Sequence, residues 1–366
     1  MSESDNQNGS GNESWIDRAR PIRAGEELDV RSLEDYLHDK LGGTLGRLTV
    51  DQFPSGYSNL TYLIRLGEHE LVLRRPPFGN RVATAHDMGR EFHVLSNLSK
   101  VYPPAPQPYL FCDDETVIGA PFYVMERRRG IALRRHLPEG LELSPVIARR
   151  LSEKLVDNLA RLHTLDYQSA GLGDLGKPEG YVERQVHGWH DRYQKSQTDG
   201  WPAFDQAGAW LLDSIPSESG AGLVHNDYKY DNLLLDPDDL THIVAVLDWE
   251  MCTVGDPLMD LGTTLAYWVE AGDPKAFRTE AFGPTAVPGS MTRRELAERY
   301  AEVTGADLGD LTFYVAFGLY KLGVIVQQIY WRYTQGLTQD ERFAQLNQMV
   351  GLLGRMAVGM IERDKV

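Results

Sequence analysis

The run His225-Asn226-Asp227-Tyr228-Lys229-Tyr230-Asp231-Asn232 gathers acids, amides and a cation on a tight loop after the apolar Gly222-Leu223-Val224. Asp227 and Asn232 stand five residues apart. A second apolar run, Val244-Ala245-Val246-Leu247, closes on Asp248-Trp249-Glu250, and Asp248 lies sixteen residues beyond Asn232. Phosphoryl transfer needs this set of groups. One carboxylate orients and deprotonates an attacking hydroxyl, and two oxygen ligands hold Mg²⁺ on nucleotide phosphates. The order His-x-Asp, then Asn, then an Asp-aromatic pair assigns those roles in that sequence. An acidic surface loop would match the residue types, but not the spacing, the flanking strands and the second Asp together.

These residues resemble the catalytic loop and metal site of the aminoglycoside phosphotransferase and choline kinase superfamily. The resemblance implies a protein-kinase-like two-lobed α+β fold. Its β-rich N-terminal lobe and larger, mostly helical C-terminal lobe would have a nucleotide cleft between them. It also implies ATP and Mg²⁺, with Asp227 as catalytic base, Asn232 and Asp248 as metal ligands, and Lys229 as a cation near the transferred group. His225 reads as structural. By the same analogy Asp260 accepts backbone hydrogen bonds from the loop, and His163 packs near it. Asp256-Pro257 reads as a helix start, an N-cap followed by proline at the first helical position.

Other parts of such an enzyme belong upstream. Gln52–Tyr62 stands where a phosphate-covering turn is expected, which makes Ser58 and Asn59 nucleotide-binding candidates. Leu71-Val72-Leu73-Arg74 resembles the strand that usually ends in a phosphate-binding Lys. A guanidinium can grip phosphate and a carboxylate at once, and Glu91 on the next helix is its expected partner. Met125-Glu126-Arg127 is the expected hinge, with Glu126 and Arg127 offering backbone groups to adenine.

The elements that position these residues follow from pattern. Residues 1–23 are rich in Ser, Asn, Gly and acid and read as a disordered tail. Residues 24–125 form the β-rich nucleotide lobe. It has a helix through Leu33, Leu37 and Leu41, and an antiparallel meander over Leu48–Phe53, Tyr62–Leu66 and Glu70–Arg74. A helix over His86–Leu98, a proline-rich connector from Pro103 to Pro108 and a strand over Pro121–Met125 complete it. Residues 126–130 make the hinge. Residues 131–366 form the catalytic and acceptor-binding lobe, helical except for strands at Leu233–Leu235 and Ile243–Leu247.

Composition sets outer limits. The 366 residues are 42% hydrophobic and 25% charged, which supports a sizeable core. With 37 basic against 53 acidic residues, the net charge of −16 argues against a nucleic-acid partner. Two cysteines give no disulfide framework or cysteine-rich zinc site. No run reaches the roughly 18 apolar residues of a membrane span, and the N-terminus lacks the pattern of a secretory signal, so a cytoplasmic protein without membrane partner is expected. His187 and His190 could face one ion, but no further ligand stands near them in sequence.

Several stretches resemble one branch of the superfamily, the phosphotransferase domain fused to or encoded near acyl-CoA dehydrogenases. They are Val72–Pro77, Ala85–Phe92, Tyr181–Val186, Gly255–Leu261 and Arg332–Gly336, within a similarity from about Leu48 to Gly354. In that branch Arg at the position of Arg74 is common. Asn226 replaces the usual Gly after the histidine, with its side chain expected to point away, and Gly188 replaces a basic residue before Trp189. The branch implies a small-molecule hydroxyl acceptor, a hydroxyacyl-CoA, and a functional link to an acyl-CoA dehydrogenase. Arg184, Arg192, Lys195 and Arg332 are the candidate cations at the acceptor rim. A kinase of cationic alcohols, such as aminoglycosides or choline, is the alternative. A catalytically silent nucleotide-binding scaffold is the alternative of another class.

Overall fold

A computed structural model describes residues 13–42, 46–54, 59–78, 87–338 and 340–364. Ser58, the 54–56 turn, residues 85–86 of the branch resemblance and residues 1–12 of the expected tail lie, in whole or part, outside the described residues. The first elements are helix α1 (Val30–Leu41), strands β1 (Leu48–Gln52), β2 (Leu60–Leu66) and β3 (His69–Arg75), helix α2 (Met88–Leu98), strand β4 (Pro108–Cys112), helix α3 (Glu115–Ile118) and strand β5 (Phe122–Glu126). Then come α4 (Pro145–His163), α5 (Tyr181–Ser196), α6 (Pro202–Asp213), β6 (Gly222–Val224), β7 (Leu233–Leu235), β8 (Ile243–Val246) and β9 (Thr253–Gly255). The last are α7 (Pro257–Tyr267), α8 (Lys275–Arg278), α9 (Arg293–Thr304), α10 (Leu311–Thr334) and α11 (Leu346–Arg363). This is the mixed α+β content expected from the sequence.

The chain divides into two compact units that interleave in sequence. One comprises residues up to Ala132 with Ala170–Leu172 and Leu233–Cys252; the other comprises Leu133–Ser169, Gly173–Asn232 and Thr253–Val366.

The first unit is built on an antiparallel five-stranded sheet of order β1-β2-β3-β5-β4. The β2–β3 hairpin turns at Gly67, whose φ of 60° lies in the left-handed region that such tight turns need. Side chains alternate across the sheet. Tyr62, Ile64, Leu66 and Leu73 therefore pack with Leu33 and Leu37 of α1 in one core, and Arg74, one step from Leu73, takes the opposite face. Ribbon β7–β8 belongs to this unit because its backbone is tied there. Leu235 exchanges hydrogen bonds with Ile131 at 2.8 and 2.9 Å, and the Val246 N–H donates to the Pro104 carbonyl at 2.8 Å.

Two local expectations change. Part of the expected tail is ordered. Arg20 exchanges backbone hydrogen bonds with Gln52 at 2.7 and 2.8 Å, and the Asp17 N–H donates to Gly130 at 3.1 Å. An edge strand leaves a row of unpaired backbone groups, and Arg20 satisfies those of Gln52 at the end of β1. Secondly, β4 continues the proline-rich connector as an edge strand. Proline is tolerated there as the first residue, where no ladder donor is missed.

The second unit is helical apart from the antiparallel pair β6–β9, which sequence pattern did not resolve as a pair. Asp256 caps α7 as expected, accepting from the Leu258 N–H at 2.9 Å, with Pro257 at the first helical position. One helix among the described residues, α10, is long and apolar enough to cross a membrane by length and composition. Lys321, Gln327 and Gln328 interrupt it, so the expectation that no unbroken apolar run is long enough stands. Of its apolar 18-residue window 78% is buried within the fold, and the Gln327 amide N–H there donates to the Ser196 carbonyl at 2.7 Å.

Helices α7 and α10 meet backbone to backbone. A Cβ on Gly318 would stand 2.5 Å from the Gly262 carbonyl oxygen, and one on Gly262 would stand 2.3 Å from that of Tyr314. Gly318→Val should therefore force the helices apart and cost about 2 kcal/mol of stability by overpacking. A shift of the urea midpoint measures it, and an unchanged midpoint would show that the helices can separate freely.

Candidate active site

In the first unit, β3 delivers Arg74 to three carboxylates. Its Nε lies 3.2 Å from Glu91 Oε2, and its Nη2 lies 2.5 Å from Asp248 Oδ1 and 3.6 Å from Glu250 Oε2. The Arg74–Glu91 ion pair anticipated from the order of parts is present. Its atoms are close but not aligned as a hydrogen bond. Glu91 is 1% exposed. Burial disfavours the guanidinium's charge, but Asp248 and then Glu91 outweigh it and hold Arg74 firmly protonated. Burial pushes the Glu91 carboxyl above its usual range, with Arg74 pulling it back. Glu250 also accepts from Asn59 Nδ2 at 2.7 Å, so Asn59 is held at this cluster.

Asp248 is displayed by a strained turn. Its φ of 67° is left-handed, a conformation that Asp tolerates better than most residues. Trp249 anchors the turn from behind, 1% exposed, with its indole N–H on the Val246 carbonyl at 2.9 Å.

One guanidinium facing three carboxylates leaves a formal −2, a charge that a divalent cation would offset. Asp248 Oδ2 makes no hydrogen bond among the described residues, so an oxygen remains for a ligand. No group of three or more His, Cys, Asp or Glu able to hold a metal stands among the described residues. Mg²⁺ does not need one, since it is usually bound by one or two protein oxygens plus substrate phosphates and water. The donors present fit that ion.

In the second unit, the loop after β6 is clamped by α7. The N–H groups of His225 and Asn226 donate to Asp260 Oδ2 and Oδ1 at 2.7 and 2.8 Å, as expected for this carboxylate. Asp260 is fully buried. Burial raises its pKa, but the hydrogen bond and charge of His163 and the contribution of His225 pull it below the usual range. With Asp260 ionised, His163 Nε2–H donates to it at 3.1 Å, and His163 Nδ1 lies within hydrogen-bond distance of the Tyr300 hydroxyl, at 2.8 Å. His225 is structural in the same way, its Nδ1 accepting the Asp227 N–H at 3.2 Å.

Asp227 then meets the loop's other polar groups. Its Oδ2 lies 2.5 Å from Lys229 Nζ and accepts from Asn232 Nδ2 at 2.9 Å, while the same amide donates to the Asp227 carbonyl at 2.8 Å. Burial opposes its ionisation. Lys229 more than compensates by charge and hydrogen bond, and the Asp227 carboxyl is held below the usual range. Because the Asn232 amide nitrogen is fixed on Asp227, its carbonyl oxygen points the other way and makes no hydrogen bond among the described residues. Lys229 Nζ also lies 4.8 Å from the centre of the Tyr267 ring.

Some expectations change at the site. The Asn226 side chain does not point away idle: its Oδ1 accepts from the Tyr181 hydroxyl at 3.1 Å. Its φ of 67° explains why a flexible residue is needed there. Side chains at the expected hinge serve the scaffold. Glu126 pairs with Arg128 at 2.9 Å, and Arg127 stacks 4.7 Å over Phe53 while donating to the Asp17 carbonyl at 2.6 Å. Arg184 is spent on the carbonyls of Lys177 and Glu179. Arg192 lies 4.7 Å over Trp189. Sequence reasoning gave Glu250 no role and missed Lys321, whose Nζ donates to the Asn226 carbonyl at 2.7 Å. Its only signal was a lysine within an apolar helix.

The model of the phosphotransferase enzyme family matches residues 49–296. The chain is 37% identical to the acyl-CoA dehydrogenase family member 11 of Rattus norvegicus over 86% of its length, and spans 41% of that relative. Among solved structures it is similar to a protein of Ralstonia eutropha provisionally assigned as an aminoglycoside phosphotransferase. Identity there is 32% and the TM-score 0.76, over 91% of this chain and 99% of the other. At 17% identity and a TM-score of 0.56, covering 90% and 99%, it shares its fold with a thermostable aminoglycoside phosphotransferase mutant complexed with AMP-PNP and hygromycin B. With that model matching more than half of its length, the chain belongs to the phosphotransferase enzyme family.

Proposed function

We propose that this protein transfers the γ-phosphoryl of ATP to the hydroxyl of a small molecule, with Asp227 orienting that hydroxyl and taking its proton. The observation that carries the reading is the Asp227 carboxylate, held ionised by Lys229 and fixed in direction by Asn232. The acceptor oxygen attacks the γ-phosphorus in line, the bond to the bridging oxygen breaks, ADP leaves and the proton passes to Asp227. Arg74 and Lys229 supply fixed positive charge toward the phosphates. Asn59, Ser58 and backbone groups of Glu126 and Arg127 are assigned to the nucleotide. Mg²⁺, held by Asn232 and Asp248, would neutralise phosphate charge when bound. Supporting that pairing, Leu233, directly after Asn232, is paired in the β7–β8 ribbon with Val246, two residues before Asp248. A relative in fold is complexed with AMP-PNP, an ATP analogue, which supports the choice of nucleotide.

For the acceptor we infer a hydroxyacyl-CoA, in functional partnership with an acyl-CoA dehydrogenase. The names of the relatives support it. So does Arg192, exposed on α5 and 4.7 Å over Trp189, a cation that suits an anionic acceptor.

ADP release with Mg·ATP, measured against hydroxyacyl-CoAs and aminoglycosides, tests both parts. Turnover on the first pool supports the whole reading, and turnover only on the second overturns the acceptor. Asp248→Ala should weaken Mg²⁺-dependent nucleotide binding at least tenfold by calorimetry. Equal binding by the variant and the parent would remove Asp248 from the metal site.

A further inference from the structure

Lys321 is 2% exposed on α10, a place where an ammonium is costly unless something needs its charge. Gly318, one turn earlier, packs against Gly262 of α7, and this close approach brings the Lys321 side chain to the loop that α7 clamps. Its Nζ donates to the Asn226 carbonyl at 2.7 Å, across 95 residues of sequence. Asn226 is thereby held on three sides. Asp260 takes its N–H, Tyr181 holds its side chain and Lys321 takes its carbonyl. The residue so held is left-handed and directly precedes Asp227, so its peptide sets where the Asp227 side chain begins.

We propose that Lys321 is a positioning residue of the phosphotransfer reaction: its ammonium fixes the Asn226 carbonyl and so directs the Asp227 carboxylate. The inference rests on the kinase reading above for its effect on rate, but not for its effect on the loop. A leucine or methionine would fill the same volume and remove a charged donor from a buried carbonyl. A charged donor makes the bond about twice as strong as a neutral one.

The environment gives the charge a measurable signature. Burial lowers the Lys321 pKa from 10.5 to about 8. Asp260 of α7 and Asp227 of the loop draw it up, while Lys229 of the loop and Arg192 of α5 push it down. Between about 8 and 10.5 the unfolded chain therefore binds more protons at this site than the folded one, so its contribution to stability rises with pH. Over the same range the clamp loses its charge. Rate and stability should move in opposite directions, which a merely structural lysine would not produce.

The test uses the full chain with Lys321→Met and Lys321→Arg. Lys321→Met should lower kcat between tenfold and a hundredfold, with KM for ATP within twofold of the parent, and Lys321→Arg should restore most of the rate. The parent's kcat should fall several-fold as pH rises through about 8, with no matching fall in Tm, and this decline should vanish in Lys321→Met. A kcat within twofold in Lys321→Met, or a decline that persists in it, overturns the inference. Hydrogen exchange at the Asn226 and Asp227 amides decides it without any acceptor. Tenfold faster exchange in Lys321→Met supports the clamp, and unchanged exchange overturns it. If no acceptor is turned over, the kinase reading fails while exchange still judges the clamp. Should Lys321→Met not fold, the parent is compared at pH 7 and 9, with exchange corrected for intrinsic rates. Weaker protection of the two amides at pH 9 then supports the clamp, and equal protection overturns it.

Discussion

Asp227→Ala is expected to lower kcat about a thousandfold while leaving Mg·ATP affinity within a few-fold of the parent. Positioned proton transfer contributes roughly 10²–10⁴ in rate, and the proposed role of Asp227 joins that task to the orientation of the acceptor. Nucleotide affinity should persist because the charged groups around Arg74 are untouched. The amide of Asn232 keeps the Asp227 carbonyl as a partner after truncation, so the loop retains one of its two anchors there. Single-turnover rates and calorimetric Kd values check the two halves separately. A rate within a factor of a few of the parent would remove Asp227 as base. The pH dependence has a definite sign. The carboxyl is held below its usual range, chiefly by Lys229 against burial, so the active ionised form persists into mild acid. Activity should fall only below the ordinary carboxylate range, near pH 4.

Asp260→Ala should cost about 3–5 kcal/mol of stability, the penalty for breaking a buried charged network. Three donors lose their acceptor at once: the His225 and Asn226 amides and the His163 ring. None can turn to water, because His225 is fully buried and His163 nearly so. Thermal unfolding of the second unit measures the loss, and a Tm within a degree or two of the parent would sink this account. Linkage gives a second check. The folded pKa is depressed, so the stabilisation is complete above the unfolded value and is lost as pH falls through the folded one. The variant should therefore show a shallower acid limb of stability than the parent.

Much of the fold was legible along the chain. The meander of β1, β2 and β3 shows as short alternating strands, and α1, α2 and α4 show as apolar stripes at helical spacing. Less visible was Pro108–Cys112, whose proline marks a connector by itself and an edge strand only beside β5. Glu13–Arg23 reads as a tail because it buries little. It is ordered by backbone hydrogen bonds, which composition does not report. The single division of the chain at residues 126–130 reflects a change of local pattern, whereas the compact units exchange the Leu233–Cys252 segment according to its partners.

The sequence by itself supplied the candidates: Asp227, Asn232 and Asp248 are named by residue type and short spacing, and Arg74 and Glu91 by the order of elements. Only the tertiary structure decided what charge surrounds Arg74, how Asp260 and His163 share the loop's donors, and that Lys321 reaches Asn226. Spacing along a chain records what neighbours within one strand or turn can do together. A contact such as Lys321 to Asn226 depends on how closely two helices approach, here through Gly262 and Gly318, and no period in either helix encodes that distance.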